Sequence, residues 1–185
     1  MKKAIVFLAD GCEMVEALTP VDMLRRAGIE VETVSVNGKK SVISSHNVEI
    51  TADKVFEEMD ELNADAVILP GGMPGTRHLG AHEGVLRTVR SFYESGKCVA
   101  AICAAPSVLG GLGILQGKRA VCYPSFEEQL KGAVISTNEV ETDGNVITSR
   151  GMGTAIPFSM AIISMLESEE KAKAVGQAVI YRLGA

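Results

Sequence analysis

Apolar residues along the chain fall into short unbroken runs separated by stretches with helical spacing. Ala4 to Ala9, Ala66 to Leu69 and Val99 to Ile102 are continuous apolar runs of strand length, and Val31 to Val36 reads as a further strand. A strand covered on both faces needs side chains that are apolar on both faces, so it loses the usual alternation. Between these runs lies a predicted helix from Glu13 to Ala27, with Val15, Leu18, Met23 and Leu24 on one face and Gly28 as its stop. Further helices are predicted over His82 to Ser95, Ala104 to Leu112, Thr154 to Leu166 and Glu169 to Tyr181. Shorter pieces complete the pattern: single helical turns near Phe56 to Met59 and Ser125 to Leu130, and strands at Arg119 to Cys122 and Val134 to Ser136. Asp143-Gly144 is a hairpin turn before a strand over Val146 to Ser149, and Ser41 to Ile50 is a small strand or hairpin excursion. Strands alternating with helices imply a mostly parallel sheet with helices on both faces, a doubly wound α/β fold.

The length of 185 residues suits a single domain spanning 1–185. Composition is that of an ordinary folded chain, 46% hydrophobic and 22% charged. The formal net charge of −5 and the absence of Trp argue against a nucleic-acid partner, which needs basic patches and stacking surfaces. The apolar run after Lys2-Lys3 stops at Asp10, too early for a secretory signal. Cys98 to Gly117 has no charge over twenty residues, but Pro106 and four glycines interrupt it, so no membrane partner is expected. The expected compartment is the cytoplasm. Cys12, Cys98, Cys103 and Cys122 form no CxxC pair, and His46, His78 and His82 lack zinc-ligand spacing, so no metal is expected. His78 and His82 read as exposed loop or helix residues.

In open α/β sheets, ligands bind at the carboxyl ends of the strands. Three segments fall there: Asp10-Gly11-Cys12-Glu13-Met14-Val15-Glu16, Pro70-Gly71-Gly72-Met73-Pro74-Gly75 and Cys103-Ala104-Ala105-Pro106. Cys103 stands at a strand-to-helix change among small residues, which is how a nucleophile elbow is built. A following helix N-terminus would lower its thiol pKa; the alternative is an inert core cysteine. Glu16 is either a solvated carboxylate at a helix start, a place Glu13 suits better, or a buried partner sharing a proton with Cys103. Gly71, Gly72 and Gly75 either make a tight turn or present backbone N–H groups to an oxyanion. There is neither GxGxxG nor GxxxxGK[ST], so a nucleotide phosphate loop is unsupported.

LADGCEMVE, VDMLRRAGIEV, VILPGGMPG, AAICAAP and TSRGMGTA, in this order, resemble the ThiJ/PfpI superfamily, and within it the DJ-one subgroup with its bacterial homologues. The resemblance covers residues 3 to 180. It implies a flavodoxin-like sandwich with a small extra hairpin, assembled as a homodimer. It implies that Cys103 is the reactive cysteine and Glu16 its protonated glutamate. It further implies that the Gly72 and Ala104 amides, beside Gly71, face the sulfur or an oxyanion, and that Arg150 lies near the pocket and the dimer contact. Two positions depart from the superfamily pattern. Tyr123 stands in the Tyr123-Pro124 step where several members have His, and His46 stands where the subgroup has Arg.

From this resemblance the expected function is a cysteine-dependent glyoxalase or deglycase activity on reactive carbonyls or glycated adducts, with no cofactor. The alternative is a redox-sensing or stress-protective protein whose Cys103 oxidises to a sulfinate without turnover. Proteolysis lacks a local histidine, and a thiazole-biosynthesis role has no support in the residues.

Overall fold

In a computed structural model, which describes residues 1–60 and 63–182, the unbroken apolar runs become the central strands. In chain order the elements begin with β1 (Lys3–Leu8), α1 (Met14–Arg26), β2 (Glu30–Ser35), β3 (Ser41–Ile43), β4 (Glu49–Thr51), β5 (Lys54–Val55) and β6 (Ala66–Leu69). Then come α2 (Gly75–Ala81), α3 (Glu83–Glu94), β7 (Cys98–Ile102), α4 (Pro106–Gly111), β8 (Arg119–Ala120) and β9 (Val134–Ile135). The chain closes with β10 (Val140–Asp143), β11 (Val146–Ser149), α5 (Ala155–Leu166) and α6 (Glu169–Ala178). The main sheet has seven strands in the order β10-β11-β7-β6-β1-β2-β5. All its pairs are parallel except the β10–β11 hairpin, which turns at Gly144 with φ +62°.

The lost alternation has its cause here. Ala4, Val6 and Leu8 of β1, with Ile68 of β6 and Ala100 of β7, face α1, α5 and α6. Ile5 and Phe7, with Val67, Leu69, Val99 and Ala101, face α2, α3 and α4. Every position of β6 and β7, and of β1 after Lys3, is therefore buried, and the fold is a flavodoxin-like α/β sandwich.

The expected hairpin excursion is present as the antiparallel pair β3–β4, which lies outside the main sheet and sits on the loop after β1. Gly11 N–H donates to Ile43 O at 2.7 Å, and Ser45 N–H donates to Cys12 O at 2.8 Å. The predicted strand at 119–122 is only β8, which pairs with β9 apart from the main sheet. The Ala104–Leu112 helix shortens to Pro106–Gly111, because Cys103 to Ala105 are used in the turn. Helix α2 is absent from the sequence pattern, since Gly75, Thr76 and Leu79 are its only buried residues and set no apolar stripe. On α1, Met23 and Leu24 are buried as expected, but Val15 and Leu18 are 38% and 40% exposed. They point away from the sheet because Glu16, Ala17 and Val21 take the inward face. Among the described residues no helix is long and apolar enough to cross a membrane.

Candidate active site

The chain passes from β1 outward through β2, then returns to β6 on the other side of β1. The strand ends beside such a reversal form the ligand crevice of an open α/β sheet. The segments after β1, β6, β7 and β11 meet there, around Cys103.

Cys103 follows β7 with φ +67°. That left-handed conformation costs a residue with a Cβ about 1–2 kcal/mol, so neighbours must hold it. They do so through the backbone: Cys103 N–H donates to Ser149 O at 2.9 Å, and Cys103 O accepts from Tyr123 N–H at 2.8 Å. The turn leaves the side chain half-buried, flanked by the fully buried Ala104 and Ala105.

Glu13 caps α1, its Oε1 accepting from Val15 N–H at 3.2 Å, and so takes the half-exposed role at the helix start. Glu16 lies inward in the same first turn, 1% exposed. Its Oε2 accepts from Gly71 N–H at 3.0 Å. Its carboxyl also stands beside the Cys103 thiol and the Met152 N–H, both of which favour its charged form. The Pro70-Gly71-Gly72 turn is packed tightly enough to require glycine twice. A Cβ on Gly71 would stand 2.6 Å from Cys103 Cβ and 2.7 Å from Glu16 Oε2. Gly72 has φ +87°, and a Cβ there would run into the Glu13 backbone nitrogen. Backbone therefore approaches backbone, and Glu13 N–H donates to Gly71 O at 2.9 Å.

Burial pushes the Glu16 carboxyl up from its ordinary 4.5 to about 7, with the Glu13 charge adding and the hydrogen bonds from Cys103, Gly71 and Met152 opposing. Burial, and then the charge and hydrogen bond of Glu16, push the Cys103 thiol up to about 12. The N–H groups of Gly72 and Ala104 face the sulfur and oppose that rise. Each charge disfavours the other, so the two groups titrate together. The first proton leaves near 7, and the second is held toward 12. Across that window one proton is shared between sulfur and carboxylate. This corrects the expectation that a helix N-terminus lowers the thiol pKa. The short α4 begins only at Pro106, and burial with the Glu16 charge outweighs two backbone donors.

The remaining sequence candidates are placed around this pair rather than on it. Tyr123 is 51% exposed, and it meets Cys103 through its backbone N–H, not its hydroxyl. Arg150 donates from Nη1 to Thr137 O at 3.2 Å, and its charge acts on Cys122 rather than Cys103. His46 Nδ1 lies 3.5 Å from Glu13 Oε2 on a side chain 71% exposed, so it reaches the carboxylate beside the pair and not the pair itself. His78 is exposed as expected, with Nδ1 2.8 Å from Asp10 O. His82 is not: it is half-buried, tilted against the Phe56 ring at 4.6 Å, and caps α3 by accepting from Val85 N–H. All four cysteines are free thiols, and burial pushes Cys12 up to about 11. Among the described residues no cluster of three or more His, Cys, Asp or Glu is placed to hold a metal ion. Sequence reasoning missed Met152, whose contribution is a backbone N–H within the quoted TSRGMGTA segment and has no side-chain signature.

The arrangement provides a nucleophilic sulfur, a carboxylate able to take and return its proton near neutral pH, and two N–H groups for developing negative charge. A family model for the DJ-1/PfpI family matches residues 2–165. Protein dj-1beta of Drosophila melanogaster is 39% identical over 181 residues, with 97% of each chain covered. Protein DJ-1 homolog B of Arabidopsis thaliana is 36% identical over 98% of this chain, which spans 42% of that longer protein. The structure titled "Toxoplasma gondii DJ-1, oxidized" superimposes with a TM-score of 0.95 at 34% identity, covering 99% of this chain and 100% of its own. The chain belongs to the DJ-1/PfpI family.

Proposed function

We propose that this DJ-1-like protein is a cysteine-dependent enzyme of glyoxalase or deglycase type, acting on small reactive carbonyls or their adducts. The observation that carries this reading is the buried Glu16 carboxyl, held by the Gly71 N–H against Cys103, with its pKa raised to about 7. A general base works best when its pKa lies near the working pH. With a two-carbon oxoaldehyde unit, Cys103 Sγ attacks the aldehyde carbon and the C=O electron pair moves to oxygen. The Gly72 and Ala104 N–H groups stabilise that oxygen while the thiol proton passes through Glu16. Glu16 then moves the proton from the former aldehyde carbon to the neighbouring carbonyl carbon, while the hydroxyl proton on the former aldehyde oxygen passes to the neighbouring oxygen. This leaves a thioester beside a new hydroxyl group. Water releases the 2-hydroxy acid and restores the thiol. One carbon is oxidised as its neighbour is reduced, so the sequence balances without an external redox partner.

The protein is further read as a cytoplasmic homodimer. Val15 and Leu18, with Met14, Ile156 and Val179, line an apolar groove of about 470 Å³ on the face of α1, α5 and α6. Met152, 56% exposed, follows β11 and precedes α5, and its backbone N–H is turned to Glu16.

A second reading has its own support: the same N–H groups and Glu16 could hold the oxygens of an oxidised sulfur, and the Toxoplasma relative is described as oxidized. The deciding experiment offers the chain methylglyoxal and, separately, hydrogen peroxide. The enzyme reading expects lactate formation that disappears in Cys103→Ala. Ready oxidation of Cys103 to the sulfinate, with no lactate formed, would replace the catalytic reading with the sensing one.

A further inference from the structure

A groove of about 570 Å³ lies between α2 and α4 and has no part in the chemistry above. Its walls are tied to the Cys103 elbow at three points. Met73 directly follows Gly72, whose N–H faces the sulfur. Ser107 Oγ donates to the carbonyl of Ala104 at 2.7 Å, the residue whose N–H also faces the sulfur. Phe126 N–H donates to Tyr123 O at 3.1 Å, and Tyr123 N–H donates to Cys103 O. A two- or three-carbon carbonyl compound would fill a small fraction of this space. A substrate reaching from Cys103 into this groove would carry a larger group attached to the reacting carbon.

Its lining states what that attachment should be. Met73, Val108 and Phe126 are apolar, and Arg77 is the only charged residue among the described lining residues. Arg77 makes no ion pair among the described residues, in a chain of net charge −5. Thr76, also on the groove wall, is 4% exposed, and its hydroxyl has no hydrogen-bond partner. A buried hydroxyl left unpaired costs free energy unless something joins it. A guanidinium without an ion pair on the wall of a largely apolar trough matches a carboxylate on an apolar stem.

We propose that the α2–α4 groove is a substrate subsite that binds a carboxylate-bearing carrier attached to the reactive carbonyl, with Arg77 pairing its carboxylate and Thr76 taking a polar group along its stem. This rests on Cys103 being the reacting group, and it makes Arg77 a specificity residue rather than a catalytic one.

The test compares Cys103 alkylation in the full chain by iodoacetamide, by N-bromoacetyl-aminocaproate and by the methyl ester of that reagent. In the last two, sulfur displaces bromide, the C–Br bond breaks as the S–C bond forms, and the thiol proton leaves through Glu16. The carboxylate reagent should saturate and, at low concentration, react about tenfold faster than its ester. Arg77→Gln should remove that advantage, Arg77→Lys should restore part of it, and all three proteins should react equally with iodoacetamide. In parallel, N-acetyl-aminocaproate, which cannot alkylate, should shift the backbone amide signals of Thr76 and Ser107, less so in Thr76→Val. Equal rates for acid and ester, or an advantage that survives Arg77→Gln, overturn the subsite and leave the reactive cysteine standing. A Cys103 inert to iodoacetamide, with Thr76 and Ser107 still shifting, removes the catalytic reading and keeps the binding groove.

Discussion

Glu16→Gln should lower the proposed methylglyoxal turnover by about 10²–10⁴-fold, the range that a positioned general acid–base contributes, while removing a pH-dependent instability of the fold. The two effects have one origin. Glu16 is buried, and burial raises its carboxyl from 4.5 to about 7. Between those pH values the folded chain holds a proton there that the unfolded chain has lost. The Glu16 contribution to stability is therefore fully present below 4.5 and is lost as pH rises through about 7. At about 1.4 kcal/mol per pH unit, the wild type loses roughly 3 kcal/mol across that window. Gln resembles the protonated carboxyl and cannot ionise, so its stability curve should lack this fall. Urea unfolding of both proteins between pH 4.5 and 8 reads it directly, at pH values bracketing the Glu16 titration. Parallel curves would mean that Glu16 is not the buried titrating group described here.

Gly71→Ala should disable the site through space alone, with no left-handed backbone at this position to add strain. The added Cβ would stand 2.6 Å from Cys103 Cβ and 2.7 Å from Glu16 Oε2, so one of the pair must move. Overpacking of this kind costs about 1–3 kcal/mol. Displacing the carboxylate also separates the base from its thiol, and proton transfer requires hydrogen-bond reach. Alkylation of Cys103 at pH 7 should fall at least about tenfold, with a lower melting temperature. Wild-type reactivity in Gly71→Ala would show that the Gly71 N–H and the Glu16–Cys103 contact do not govern the thiol.

The central strands were legible because a strand buried on both faces has no polar positions, and Ala4–Ala9, Ala66–Leu69 and Val99–Ile102 have none. Helix α2 was not, because Gly-Thr-Arg-His-Leu-Gly-Ala has no apolar period; it forms against the Gly72 turn, with Thr76 N–H on Gly72 O. The outward turn of Val15 and Leu18 was misread because α1 carries two apolar stripes, and spacing alone does not tell which one meets the sheet. The candidate site divides in the same way. That Cys103 and the glycine turn lie at strand ends follows from the run lengths. The meeting of Glu16 with Cys103 depends on strand order, which places the β1, β6 and β7 ends side by side. Spacing along the chain holds no record of that order, and only the family motifs pointed to it. The direction of the thiol shift was missed for a related reason: it is set by burial and by a carboxylate from another segment, not by neighbours in sequence.

The shared proton is tested most directly by the rate of Cys103 alkylation by iodoacetamide against pH, read by peptide mass in wild type and Glu16→Gln. The pair should give up its first proton near 7, so the wild-type rate should rise through that value and then level. Glu16→Gln should react slowly at pH 7 and gain rate only above the free-thiol value of about 8.5. Superimposable profiles, both titrating like an ordinary thiol, would contradict the pairing of Glu16 with Cys103 and the mechanism built on it.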